Sequence, residues 1–180
     1  GKKRALITGL TGQDGSYHAE LLLVKGYEVA GIVRKTSHFR YENIGHIQHR
    51  LNLIYADLLD PISITSAIKS VMPDEVYNLA AQSAPSESFK QPVHTAEITA
   101  IGAHRVIEAV REVVPKARFY QASSSEMYGW VKETPQDEET PFNPANPYAA
   151  AKLYAHNIAR IYRESYGMYI CCGILFNHES

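Results

Sequence analysis

The sequence predicts an α/β fold, a doubly wound parallel sheet with helices on both faces, and two observations support this prediction. Short apolar runs alternate with longer segments of helical periodicity along the chain. A glycine-rich turn, Gly9-x-x-Gly12-x-x-Gly15, lies between the first apolar run and the first helical segment. Strand, glycine turn and helix in this order are typical of a Rossmann-type domain, in which the glycines let the backbone approach a pyrophosphate group.

The hydrophobic periodicity then places each strand and helix in order. The predicted strands are 4–8, 28–33, 51–55, 75–79, 118–122 and 168–176. The predicted helices are 17–25, 61–71, 93–113 and 148–166. Asp60 is a suitable N-cap for the second helix, with Pro61 at its first position, and the polar stretch 36–50 is predicted as a loop with a short helix. We interpret residues 1–180 as one domain, because this length suits a single well-packed core.

Composition excludes several classes of function. A net charge of -1 gives no electrostatic reason to expect nucleic acid or an anionic membrane as a partner. No apolar run approaches the ~20 residues that span a bilayer, so we expect a cytoplasmic protein. The eight histidines lack ligand spacing, so no metal site is expected. Cys171 and Cys172 are adjacent in an apolar run, and we expect two buried strand residues that cannot pair with each other.

The first half of the chain carries the predicted cofactor site. Two cations, Arg34 and Lys35, follow the second strand, where an acidic residue would select NAD. They suit the 2′-phosphate of NADP, although two solvated loop cations would look the same in sequence. Asp57 follows the third strand and is a candidate acceptor for an adenine amino group. Ala80 and Ala81 follow the fourth strand, and their small side chains allow either close passage of a cofactor or close helix packing.

The stretch 123–152 carries the predicted chemistry. Tyr148 and Lys152 are four residues apart in a predicted helix, so both side chains lie on one face. An ammonium group near a phenol lowers the pKa of the phenol and makes it a usable base, and the Ser124 hydroxyl can hold an alcohol against it. Tyr-x-x-x-Lys alone also fits an exposed helical pair.

These motifs, together with Asp57-Leu58 and Asn78-Leu79-Ala80-Ala81, occur in the order of the extended short-chain dehydrogenase/reductase family, which the chain resembles. Within that family the chain is most similar to the GDP-mannose 4,6-dehydratases. The similar strings are 7–9, 11–17, 73–83, 119–123 and 173–180.

The resemblance implies a truncated protein, because family members continue for roughly as many residues again and form a substrate-binding lobe. It implies NADP as cofactor, GDP-mannose or a related GDP-sugar as substrate, and a homo-oligomer, dimer or tetramer, in the full-length form. The segment 36–50 is then a candidate oligomer interface, with a solvated loop as the alternative. By itself the chain is expected to turn over poorly.

The resemblance also implies a mechanism. Tyr148, aided by Lys152 and Ser124, takes the C4 hydroxyl proton of the sugar while a hydride passes from C4 to NADP. Glu126 then removes the C5 proton and assists loss of the C6 hydroxyl as water, and the hydride returns to C6. Glu126 favours a dehydratase over an epimerase, because the elimination needs a carboxylate at this position.

The implied site residues are therefore in three groups. The catalytic candidates are Ser124, Glu126, Tyr148 and Lys152. The cofactor-binding candidates are Gly9, Thr11, Gly12, Gln13, Asp14, Gly15, Arg34, Asp57, Leu58, Leu79, Ala80, Ala81, Tyr148 and Lys152. The substrate-binding candidates are Ser83, Ser125, Glu126, Asn177 and Glu179.

Several positions depart from the family pattern. These are Ser124, Ala84-Pro85, Ala145-Asn146 and Thr99. They lie near the expected sugar and nucleotide site, so the identity of the sugar stays open and includes a GDP-heptose. The alternatives are a related GDP-sugar epimerase or reductase, and an inactive NADP-binding fragment.

Overall fold

The computed structural model describes residues 1–10, 13–34, 42–80, 89–123 and 143–174. Within these residues the strands are β1 (Arg4–Thr8), β2 (Glu28–Val33), β3 (Asn52–Tyr55), β4 (Glu75–Asn78), β5 (Arg118–Ser123) and β6 (Ile170–Ile174). They form one parallel sheet in the order β3-β2-β1-β4-β5-β6. The chain therefore reverses its direction of travel across the sheet between β1 and β4, where open α/β sheets place their ligands.

The helices cover both faces of this sheet. They are α1 (Gln13–Val24), α2 (Pro61–Val71), α3 (Pro92–Thr95), α4 (Gly102–Val113) and α5 (Pro147–Tyr166). A π-helical segment, Ala96–Ile101, joins α3 to α4, and a 3-10 turn, Gln48–Arg50, precedes β3. α4 packs against α2 and α5 on one face, and α1 packs against β1 and β2 on the other.

Alternate residues of the strands supply the two cores. Leu6 and Val76 are fully buried in the cluster beneath α2, α4 and α5. Ile7, the next residue along β1, is fully buried in the cluster beneath α1. Because neighbouring strand residues point to opposite faces, a continuous apolar strand requires helices on both sides.

Polar side chains cap two of the helices. Asp60 caps α2, because its carboxylate accepts the Ile62 N–H at 3.0 Å. Asn146 caps α5, because its side-chain oxygen accepts the Ala149 N–H at 2.8 Å. A cap of this kind stabilises a helix by about 1 kcal/mol. Asn146 therefore supplies a good N-cap to the helix that carries the predicted catalytic lysine.

The structure confirms the predicted strands and helices and changes several boundaries. α1 begins at Gln13 rather than at residue 17, and β3 begins at Asn52. The predicted helix 93–113 is interrupted by the π-helical segment. β6 begins at Ile170, two residues later than predicted. No helix in the described ranges is long and apolar enough to cross a membrane.

The prediction of two buried cysteines is wrong for Cys171. Among the described residues neither cysteine forms a disulfide; Cys172 is half-buried and Cys171 is exposed. Cys172 packs against the cluster beneath α5. Cys171 points to the opposite face of β6, at the edge of the described sheet, where neighbouring elements cover less of it.

Candidate active site at the carboxyl ends of the strands

The glycine turn brings three backbone segments together at the end of β1. Gly9 has a φ of +73°, and a Cβ on Gly9 would lie 2.7 Å from the Ala80 nitrogen. A Cβ on Gly15 would lie 2.0 Å from the Gly9 carbonyl oxygen. Only glycine therefore lets α1 begin against the turn while the segment after β4 lies beside it. This arrangement fits a pyrophosphate bound at close range to the backbone near the start of α1.

The predicted adenosine-binding residues lie at the ends of neighbouring strands. Arg34 is exposed and directly follows Val33, which is paired with Tyr55 in register. Asp57 is exposed, and its carboxylate accepts the Leu59 N–H at 2.9 Å. The two side chains therefore belong to one corner of the sheet, with their charged groups accessible to a ligand.

Arg105 anchors the loop that contains Asp57, and the sequence pattern did not predict this role. Its guanidinium donates to the Leu58 carbonyl at 3.1 Å and to the Glu97 carboxylate at 3.2 Å. Leu58 itself is buried against the core. The loop after β3 is thus tied to the π-helical segment, a link between two elements that only the tertiary structure brings together.

Lys152 is a buried cation at the end of β5. Its side chain is 3% exposed, and its ammonium group donates to the Ala122 carbonyl at 3.2 Å. Tyr148 lies one helical turn earlier on α5 and is half-buried. An exposed helical pair is therefore excluded, because α5 brings Lys152 into the core beside β5.

Burial changes the acidity of this lysine. Desolvation lowers the pKa of Lys152 from 10.5 to about 8, and the nearby Cys172 thiol opposes the change by raising it. The group remains mainly protonated at neutral pH. A buried ammonium on the Tyr148 face of α5 favours the phenolate form of a neighbouring phenol, which suits a catalytic base.

The structure thus brings together part of the predicted site. Gly9, Gly15, Leu79 and Ala80 are in contact at the ends of β1 and β4, and Lys152 lies at the end of the neighbouring strand β5, with Tyr148 on the same helix as Lys152. The predicted site residues outside the described ranges are Thr11, Gly12, Ala81, Ser83, Ser124, Ser125, Glu126, Asn177 and Glu179, and of Gln13 and Asp14 only the backbone is described. The roles of all these residues stay predictions. Among the described residues no group of three His, Cys, Asp or Glu side chains is placed to hold a metal ion.

Comparison with known proteins identifies relatives over almost the whole chain. The family model for GDP-mannose 4,6 dehydratase matches residues 6–180. Over 99% of its length the chain is 55% identical to GDP-mannose 4,6-dehydratase of Vibrio cholerae, of which it covers 50%. It is 52% identical to GDP-mannose 4,6 dehydratase of Drosophila melanogaster, of which it covers 48%. The chain therefore spans about half the length of the curated relatives it matches.

Solved structures share the fold. UDP-glucose 4-epimerase of Thermus thermophilus, in complex with NAD, has a TM-score of 0.82 and 30% identity, with coverage of 94% of this chain and 53% of the epimerase. DesIV, a dTDP-glucose 4,6-dehydratase of Streptomyces venezuelae, has a TM-score of 0.85 and 24% identity, with coverage of 95% and 55%. The second likeness supports the fold alone.

Proposed function

Because the chain belongs to the GDP-mannose 4,6-dehydratase family, we propose that it forms the cofactor-binding and catalytic part of an enzyme that converts GDP-mannose to GDP-4-keto-6-deoxymannose. The observation that carries this proposal is the buried Lys152, one helical turn from Tyr148 and bound to the Ala122 carbonyl. Among the described residues Lys152 has no carboxylate partner, so its charge acts on the site itself.

The residues present fit a nicotinamide dinucleotide. The turn at Gly9 leaves no room for a Cβ on either of its described glycines, and Ala80 lies directly beside it. We place the pyrophosphate there, the adenosine by Asp57 and its 2′-phosphate by Arg34. The bound cofactor supplies a hydride acceptor that can later return the hydride. We assign NADP, because Arg34 is exposed at the end of β2 and offers a bidentate cation.

The chain's own groups handle the protons of the reaction. In the proposed scheme the Tyr148 phenolate accepts the proton of the sugar C4 hydroxyl, and the Lys152 ammonium stabilises that phenolate. Oxidation at C4 makes the C5 proton acidic. Glu126 removes this proton and assists departure of the C6 hydroxyl as water, after which a hydride adds at C6 and a proton at C5. The net change is loss of one water from the sugar nucleotide.

The proposal is tested by mass spectrometry of GDP-mannose incubated with NADP+ and the protein. We expect loss of one water, and replacement of Tyr148 by Phe should slow it by roughly 10²- to 10⁴-fold, the usual contribution of a general base. Tyr154→Phe is the matched control, since Tyr154 is a partly exposed tyrosine of the same helix whose hydroxyl contacts His104.

Two results would count against this function. One is equal rates of water loss for Tyr148→Phe and the wild-type protein. The other is no water loss by the 180-residue chain and also none by a chain extended to the length of its relatives, when both bind NADP. The extended chain is needed because the sequence covers 50% of the Vibrio cholerae relative.

Cofactor preference is a separate prediction. Competition titration should show tighter binding of NADP than of NAD, and Arg34→Ala should weaken NADP binding about tenfold while leaving NAD binding nearly unchanged. Arg50→Ala, at an exposed position in the turn before β3, is the control. Equal affinity of the wild-type protein for the two dinucleotides, or a preference for NAD, would overturn the assignment.

A further inference from the structure

Three buried polar side chains lie side by side across the centre of the sheet. Thr8 on β1, Asn78 on β4 and Gln121 on β5 are 0%, 1% and 2% exposed. Thr8 is paired with Asn78 in register, and Asn78 is paired with Gln121. Polar groups in such a place are costly unless each is hydrogen-bonded, and an apolar trio of similar shape would serve folding about as well. Their presence therefore calls for a reason beyond stability.

The three side chains form a continuous chain of hydrogen bonds. The Thr8 hydroxyl donates to the Asn78 side-chain oxygen at 2.5 Å. The Asn78 amide donates to the Gln121 side-chain oxygen at 2.8 Å. The Gln121 amide in turn donates to the Ala122 carbonyl at 3.2 Å. The chain thus runs from the end of β1 to the last residues of β5.

The backbone carbonyl at one end fixes the direction of every side-chain bond, and the backbone N–H at the other end is compatible with that direction. At one end the Ala80 N–H donates to the Thr8 hydroxyl at 3.1 Å, and an N–H can only donate. At the other end Ala122 offers a carbonyl, which can only accept. The amides of Asn78 and Gln121 must therefore point one way, and bonds aligned in this manner polarise one another.

The accepting end of this chain is shared with the buried lysine. The Ala122 carbonyl receives both the Gln121 amide and the Lys152 ammonium, each at 3.2 Å. A carbonyl oxygen has two lone pairs, so these two donors fill its capacity. The orientation of this peptide group, and with it the position of the ammonium, therefore depends on Gln121.

We propose that Gln121 is a positioning residue for Lys152, acting through the Ala122 carbonyl, and that Thr8 and Asn78 fix the orientation of its amide. The catalytic meaning of this role rests on the proposed function, but the positioning itself does not. The two ends of the chain, Ala80 and Lys152, both belong to the candidate cofactor site. Gln121 thus acts on the site through the Ala122 carbonyl and is not proposed to contact a ligand itself.

Among the described residues few charged groups act on the Lys152 ammonium besides this chain of hydrogen bonds. β6 contributes the Cys172 thiol, which acts on Lys152, and α5 itself contributes Tyr148. The side chains that β1, β4 and β5 contribute to the chain of hydrogen bonds are uncharged. A change of charge or polarity at position 121 should therefore change the pKa of the Lys152 ammonium group.

The test is NMR titration of the protein labelled with ¹³C at the lysine Cε, in the absence of sugar and cofactor. The resonance of Lys152 is assigned by its loss in Lys152→Arg. We expect its midpoint to rise by about one pH unit or more in Gln121→Glu, which offers the ammonium a carboxylate, and to fall by about one unit in Gln121→Met, which removes both amide bonds. Gln48→Glu and Gln48→Met, at a half-buried position on the opposite side of the sheet, should leave the midpoint unchanged.

A purely structural role predicts a different result. In that case Gln121→Met would melt at lower temperature while its Lys152 midpoint stayed at the wild-type value, and this would overturn the proposal. Failure of both Gln121 variants to fold would also overturn it, since Gln121 would then be required for the fold itself. The titration is done without substrate, so it does not depend on dehydratase activity. If the Lys152 midpoints shift as expected but the protein does not convert GDP-mannose, the positioning role of Gln121 stands and the dehydratase proposal fails.

Discussion

Among single residues, Lys152 affects both the stability of the fold and the electrostatics of the candidate site. The same burial that places its ammonium beside the Ala122 carbonyl also opposes its charge. The protein thus retains a cation where an apolar side chain would be easier to bury. The proposed role of Lys152 in stabilising the Tyr148 phenolate gives a physical reason for this choice.

Because burial of the charged Lys152 ammonium costs free energy, the stability of the folded protein should depend on pH. The pKa of Lys152 is about 8 in the folded protein against 10.5 for the ordinary side chain, so the unfolded chain binds more protons between these values. Stability from this group therefore increases as pH rises from about 8 towards 10.5. Lys152→Met removes the effect, so we expect its stability advantage over the wild-type protein to be largest below pH 8 and to shrink at higher pH.

The measurement is urea unfolding of both proteins at about pH 7, below this window, and at about pH 10, near its upper end. Lys69→Met is the control, because Lys69 is an exposed residue of α2 whose ammonium meets water in both states. A difference between Lys152→Met and wild-type stability that stayed constant or grew with pH would show that the lysine is not buried as a charge.

At the scale of the elements, the junction of β1 and α1 depends on the absence of side chains. Gly9 and Gly15 let the turn, the helix start and the segment after β4 share one small volume. The π-helical segment is crowded to a lesser degree, because a Cβ on Gly102 would lie 3.2 Å from the Glu97 carbonyl oxygen. Segments of this kind are often found at functional sites, and here Arg105 ties the segment to the loop of Asp57.

Two glycine-to-alanine substitutions distinguish the steric overlap at Gly15 from the general effect of alanine on stability. Gly15→Ala should lower the free energy of unfolding by roughly 2 kcal/mol or more, despite the better helix propensity of alanine, because its Cβ would overlap the Gly9 carbonyl. It should also weaken dinucleotide binding. Gly173→Ala, where a Cβ meets nothing within 4 Å, should change stability by only about 0.5 kcal/mol. Equal effects in denaturant unfolding would contradict the packing at this junction.

The sequence predicted those features that depend on local pattern. Apolar runs indicated the strands of the sheet, and the spacing of Tyr148 and Lys152 indicated their shared helix face. Gln121 was not identified, because its partner Asn78 lies on a neighbouring strand 43 residues away and only the strand order reveals the pair. The exposure of Cys171 likewise depends on β6 lying at the edge of the described sheet rather than on its apolar neighbours.

At the scale of the whole molecule, the strand order explains why the site forms where it does. Because β1, β4 and β5 are parallel neighbours, Thr8, Asn78 and Ser123 lie at the same carboxyl edge of the sheet. That edge receives the glycine turn, Ala80 and the end of β5. The chain covers about half of its relatives' length, so we expect further residues to complete the sugar site in a protein of their size.

The most direct measurement of the central claim follows deuterium in GDP-mannose labelled at C4 of the sugar. The protein is incubated with the labelled substrate and NADP+, and the product is analysed by mass spectrometry and NMR. If the 180-residue chain is inactive, a chain extended to the length of its relatives is used. We expect a product that has lost one water and carries the deuterium at C6. A product that retains the C6 hydroxyl, or one whose deuterium has exchanged into solvent, would contradict a 4,6-dehydratase.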